Sequence, residues 1–292
     1  MSSARKNIVT AFFLNLSFAV VELIGGVLTN SVAILSDAVH DFGDSLSLGV
    51  AWYLQKISEK KGDSRFSYGY KRFSLLGSIF ISTVLLTGSF FIINESIKRL
   101  RSPQEAYAPG MLLLSVLGII VNGAAVLRLK KGKSHNEKAV MIHMMEDVLG
   151  WAAVFVASIL MIFFDVPFMD PLLSLIITGW VLFNVIKNLK STFSIMLQQV
   201  PSEIDMKLFI ERVNKEKLIS SVHDVHLWTL DGESHILTLH VVIGDNSSKG
   251  EMLVVKETLR RIAAEFGIEH VTVEIEFDSG IDNCIYNREQ CG

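Results

Sequence analysis

Apolar residues fall into six long runs, at approximately residues 8–28, 32–54, 73–95, 111–129, 136–163 and 169–190. A hydrocarbon core of about 30 Å takes roughly 20 helical residues to cross, so each run predicts a membrane span. Beyond Pro201 charges return at ordinary soluble frequency and the periodicity changes. In residues 203–218, "EIDMKLFIERVNKEKL", the positions Ile204, Leu208, Phe209 and Val213 recur at helical spacing. "VHDVHLWTL" and "HILTLHVVI" flank Asp231-Gly232, a hairpin signal, while "KGEMLVVKETLRRIAAEF" reads as a helix and "HVTVEIEF" alternates like a strand. The pattern predicts a six-transmembrane-helix bundle over residues 1–200, a small α+β (αββαβ) domain over 201–283 and a tail over 284–292.

Composition agrees. Half of the 292 residues are hydrophobic and 20% are charged, which points to a membrane protein in contact with the lipid bilayer. A formal net charge of −3 leaves no basic patch, no nucleic-acid motif is present, and nucleic acid is set aside as a partner. The two cysteines, Cys284 and Cys291, lie in the last nine residues, too few and too late for a disulfide framework. The start, "MSSARKNIVTAFFLNLSFAVVELIGGVL", has a basic prefix, but its apolar run exceeds a signal core and lacks a small-x-small cleavage site, so it reads as a retained first span.

Basic residues orient the spans. Arg5 and Lys6 precede span one; Lys56, Lys60, Lys61, Arg65, Lys71 and Arg72 follow span two; Arg128, Lys130, Lys131 and Lys133 follow span four. Together they place these segments, both termini and the α+β domain in the cytoplasm. Thr29-Asn30-Ser31 and Asp165-Val166-Pro167 carry no Lys or Arg, as outside loops should. Lys98, Arg99 and Arg101 dissent, lying on the side the other loops make external.

Span two contains "SDAVHDFGDSLSLGV", a histidine and three aspartates in an otherwise apolar helix. Each charge near a bilayer centre costs roughly 2.5–3.5 kcal/mol on insertion scales, so something must offset them. His40 and Asp44 are four apart and share a helix face, and His143 and Asp147 repeat the spacing in span five. With Ser31 as one N-cap and Ser134 and Glu137 as a capping box for the other, each histidine lies about 13.5 Å and each aspartate about 19.5 Å along its helix. The two helices run in opposite directions, so all four side chains fall near the midplane. Two imidazoles and two carboxylates suit tetrahedral Zn²⁺. A self-satisfied polar pair within each helix is the plain alternative, weakened by the matched spacing and depth.

"LSDAVHDFGD" and "HMMEDVLG", with six spans and an α-β-β-α-β tail, resemble the cation diffusion facilitator family, zinc-transporter branch, over nearly the whole chain. The resemblance implies a homodimeric secondary transporter that exports Zn²⁺, with cadmium or cobalt following, in exchange for protons. Its transport site would be His40, Asp44, His143 and Asp147. The resemblance also implies a ferredoxin-like cytoplasmic domain that often binds zinc, with His226, His240 and Glu276 as first-choice ligands and His223 next, and two tails drawn together by the metal. Cys284 and Cys291 could extend such a site as thiolates. Some members carry histidine ligands in the loop into span three; here Phe66 and Tyr70 stand there, and no second site is expected. Lys71 and Arg72 read as positive-inside anchors.

Asp37, three before His40, is a candidate second partner for an imidazole or a proton carrier. Asp41 points elsewhere and reads as a surface or interface charge. Asn15 and Glu22, seven apart on span one, either line the same polar cavity or hydrogen-bond inside the bundle. Two other classes stay open. "HMMED" is not HExxH and brings no separate general base, which counts against an intramembrane metalloenzyme. A membrane-anchored metal sensor would leave four polar midplane residues unexplained. A bacterial inner membrane is the simplest location.

Overall fold

A computed structural model describes residues 3–130, 135–164 and 166–279. Six long helices come first: α1 (Ser3–Thr29), α2 (Val32–Ser58), α3 (Phe73–Arg101), α4 (Ala108–Leu129), α5 (His135–Phe164) and α6 (Met169–Met196). Among the described residues α3, α4, the Met144–Phe164 stretch of α5, and α6 are apolar and long enough to cross a membrane by composition. Helix α2 is not, because it carries the histidine and aspartates of the central motif. The chain is an integral membrane protein with a helical bundle. It divides into two compact units, residues 1–56 with 76–189, and 57–75 with 190–292.

Within the first unit, glycine sets how closely helices approach. A Cβ added at Gly118 of α4 would stand 2.3 Å from the Trp151 ring of α5, and one at Gly88 of α3 would stand 2.5 Å from Val39 of α2. Small residues at such crossings substitute for the hydrophobic drive that lipid removes. Trp151 packs edge-on against Phe18 of α1 at 5.5 Å between ring centroids, in a core with Ile34, Met111, Val154 and Met161.

The start of α2 is tied by charge. Ser31 Oγ accepts from the Ile34 N–H at 3.2 Å, as the N-cap reading expects, and donates to Asp170 Oδ1 at 2.5 Å. The Asp170 carboxylate also accepts from the Val32 and Ala33 N–H groups at 2.8 and 3.2 Å. A buried anion thus sits on the positive end of the α2 dipole. Arg99 occupies the same end of the bundle. It is 8% exposed, donates to the Asn30 carbonyl and Oδ1 at 2.6 and 2.9 Å, and pairs with Glu95 at 2.9 Å. Asn30 holds the turn at φ 52, a conformation asparagine tolerates. The dissenting basic loop therefore spends one of its charges inside the structure.

The second unit contains α7 (Met206–Asn214), β1 (Ser221–Thr229), β2 (His235–Ile243), α8 (Lys249–Glu265) and β3 (Ile268–Phe277). This is the expected αββαβ order. Helix α7 is shorter than the periodic run because Asp205 caps it, accepting from the Lys207 and Leu208 N–H groups at 2.9 and 3.2 Å. Strand β2 is central, antiparallel to β1 and parallel to β3. Leu237, Leu239, Val241 and Ile243 alternate onto one face and form a core with Phe209, Val213, Val255, Leu259 and Ile262. His240 lies between Leu239 and Val241, so the pleat turns it to the opposite face.

The α2–α3 loop belongs to this unit. Asp63 Oδ1 accepts from the Arg65 and Phe66 N–H groups at 2.8 and 2.9 Å, and Oδ2 accepts from the Tyr70 hydroxyl at 2.7 Å. The Phe66 and Tyr70 rings pack at a tilt with centroids 4.7 Å apart, and Phe73 lies within 5.6 Å of both. Lys71 Nζ donates to Ser234 Oγ of the hairpin turn, so this basic residue also makes a specific contact. The Tyr70 hydroxyl, then the two N–H groups, hold the Asp63 carboxyl below its ordinary range, and the same bond raises the Tyr70 phenol.

Two outcomes follow from these contacts. Asp170→Ala orphans two helix N–H donors and a hydroxyl, and is expected to destabilise the solubilised protein by roughly 2–5 kcal/mol. Lys98→Ala removes only an exposed 3.9 Å pair with Glu95 and should change stability by less than about 0.5 kcal/mol. Parallel thermal melts in detergent check this, and equal losses would refute the cap. In the loop, a depressed carboxyl contributes order above its unfolded pKa and loses it as pH falls through the folded one. Tyr70→Phe removes the largest cause, so amide exchange at Arg65 and Phe66 should accelerate on acidification at a higher pH than in the wild type.

Candidate metal centres

His40 and Asp44 of α2, and His143 and Asp147 of α5, are one helical turn apart within each pair. The side chains of Asp44, His143 and Asn15 lie outside the described residues, as do Ser134, Cys284 and Cys291. The described partners do come together. His40, Asp41 and Asp147 each offer a ligand atom, and all three atoms lie within 4.8 Å of one another. Asp147 is 4% exposed and Asp41 fully buried. Asp41 is therefore neither a surface nor an interface charge within this chain. About 100° around α2 from His40, a side chain meets other helices of the bundle rather than water.

Asp37 is also buried, and with His40, Glu146, Asp147, Gly150 and Asn184 it lines a cavity of 840 Å³. Asp37 Oδ1 reaches α5 one turn past Asp147: a Cβ at Gly150 would stand 3.9 Å from it, an ordinary contact distance. Glu22 of α1 is fully buried and within electrostatic range of Asp37 and Asp147. One imidazole and several carboxyl groups, drawn from three helices, thus lie close to one another inside the bundle. A divalent cation fits that donor set.

The α+β unit carries a second cluster. In the β1–β2 register His223 faces His240, with ring centroids 5.3 Å apart. Glu276 joins them: Oε1 is 2.7 Å from His240 Nδ1 and Oε2 is 3.2 Å from His223 Nε2. His240 Nε2 also lies 3.4 Å from both Asp224 and Glu274. Two imidazoles and a carboxylate, each between buried and exposed, offer three ligand atoms within 4.8 Å. A tetrahedral ion would then keep one position open.

His226 stands apart from that trio, with its side chain 65% exposed and its Nε2 2.9 Å from Asp224. The cause is local. The β1–β2 register shifts between His223 and His226, and Asp224 has φ 49, a bulge that re-aims the strand. Sequence reasoning missed Asp224 and Glu274; their acidic character beside the paired histidines was the available signal. His235 is buried at the far end of β2, 3.5 Å from Glu203, and His270 contacts the Tyr68 ring at 5.5 Å. Neither joins the cluster.

Residues 8–197 match the family of the cation efflux transmembrane domain, and residues 201–278 that of the cation efflux protein cytoplasmic domain. A cadmium, cobalt and zinc/H⁺-K⁺ antiporter of Bacillus velezensis is 33% identical over 94% of this chain and 89% of its own. The metal cation efflux system protein CzcD of Cupriavidus metallidurans is 31% identical over 93% and 86%, and the zinc transporter ZitB of Pectobacterium atrosepticum is 29% identical over 99% and 91%. The matched regions contain both His-x-x-x-Asp pairs and the three-stranded sheet, and the chain belongs to the cation diffusion facilitator family, zinc-transporter branch.

Proposed function

We propose that the protein is a homodimeric secondary transporter of a bacterial inner membrane, with both termini cytoplasmic, exporting Zn²⁺ in exchange for protons. The observation that carries this reading is the convergence of His40 and Asp147 from separate helices beside a largely apolar cavity into which Asp37, Glu146 and Asn184 also face. In this reading His40, Asp44, His143 and Asp147 hold the ion, and Asp37 supports them from the same cavity wall. Cadmium and cobalt, named for the Bacillus velezensis relative, are further cargo. The burial of Arg99 supports the orientation, because the one contrary loop loses a free charge.

Coupling follows from the ligands. A metal takes neutral imidazole and ionised carboxylate, so loading releases protons, and histidine's ordinary pKa of about 6.5 lies near working pH. Proton and metal compete for one site, and alternating access needs two states whose populations the bound ion shifts. The cluster of His223, His240 and Glu276, with His226 beside it, is the proposed regulatory zinc site, where metal draws two copies together.

The test is Zn²⁺ uptake by proteoliposomes with and without an imposed pH gradient. Wild type should show gradient-stimulated uptake, and Asp147→Ala should lose about tenfold or more of it while the folded protein still binds zinc at its tail. His240→Ala should lower tail binding yet keep a gradient-dependent flux. A folded wild type that binds zinc without transporting it would overturn the proposal in favour of a sensor or an intramembrane metalloenzyme.

A further inference from the structure

The four residues of the two His-x-x-x-Asp pairs leave Asp41 unexplained. It is next to a ligand, fully buried, and has no assigned part in the transport reaction. Its position is informative. Residues 40 and 41 are about 100° apart around α2, so one facing group meets both only from above the edge between them. Asp147 meets that condition, since the ligand atoms of His40, Asp41 and Asp147 are mutually within 4.8 Å. The α5 carboxylate therefore faces the 40–41 edge of α2.

We propose that Asp41 is a direct ligand of the transported divalent cation, closing with His40 and Asp147 a three-donor site of one nitrogen and two oxygens. Charge favours this set. A 2+ ion balances the Asp41 and Asp147 carboxylates with neutral His40, leaving no net charge on the three donors and the ion together. Three protein ligands also leave positions for water, or for Asp44 and His143, around an ion that must enter and leave. The added oxygen donor widens the site from a four-coordinate zinc preference toward ions that accept more oxygen, such as Co²⁺. This rests on α2 and α5 holding the cargo.

The test uses Co²⁺ as the probe on the full-length protein in detergent. Cys284→Ser and Cys291→Ser remove the native thiols, and His223→Ala with His240→Ala silences the second cluster. In that background Asp41→Cys should create a thiolate-to-cobalt charge-transfer band absent from the parent and abolished by adding Asp147→Ala. Asp41→Asn should weaken Co²⁺ binding about tenfold or more, as losing a metal-supporting group does. A thermal melt confirms that each variant is folded, and if Asp41→Cys is not, the Asp41→Asn affinity decides.

A parent-like spectrum from Asp41→Cys, with unchanged affinity in Asp41→Asn, would overturn the assignment while leaving the transport site intact, provided that Asp147→Ala alone still abolishes binding. Binding that survives Asp147→Ala in the parent would instead overturn the transport-site reading, and this inference with it.

Discussion

Everything in the bundle is arranged around carboxylates in a place that does not solvate them. Glu22, Asp37, Asp41 and Asp147, from three helices, are each at most 5% exposed. At roughly 2.5–3.5 kcal/mol per charge, all four in the ionised form would cost about 10–14 kcal/mol. That is the size of a whole domain's net stability, about 5–15 kcal/mol, so compensation is a condition of folding as well as of function. Two species can supply it where water is scarce, a cation or bound protons. A chain that exchanges one for the other keeps the net charge of its interior low in both states.

The surrounding architecture holds those groups in register without adding charge to the midplane. Gly118 and Gly88 let α5 and α2 approach their neighbours, and Trp151 fills the space that Gly118 leaves. The fixed charges are sent to the end of the bundle, where Asp170 binds the N-terminus of α2 and Arg99 binds the α1–α2 turn. Both tie α2 at its first turn, about 12 Å along the helix from His40 at 1.5 Å per residue. One end of the ligand-bearing helix is thereby set by short hydrogen bonds, and its centre is left beside a cavity.

Much of this was legible in the sequence because it depends on local periodicity. Six apolar runs gave α1 to α6, the four-residue spacing set His40 and Asp44, and His143 and Asp147, one helical turn apart along α2 and α5, and the period of two put His240 opposite the α+β core. What was not legible depended on how elements meet. Asp41 was read from its angle to His40 on one helix, but burial is set by the helices on every side. His223 and His226 lie in one strand-like stretch, and the bulge at Asp224, which sets His226 apart from His240 and Glu276, has no period to reveal it. Arg99 looked like an orientation signal because its partner Asn30 lies 69 positions away.

The two clusters use the same ligand chemistry and differ in solvation, which separates their proposed tasks. In the α+β unit the side chains of His223, His240 and Glu276 are 17–24% exposed. Water and neighbouring acids can satisfy them without metal, so the empty state costs little and occupancy follows the free metal concentration, as a regulator requires. Inside the bundle, Asp41 and Asp147 have no comparable access to water. An empty site there must be neutralised by something else, and the ion's departure is coupled to whatever replaces it. In the proposed roles the same imidazole–carboxylate set would report on metal where water can reach it, and exchange metal for protons where water cannot.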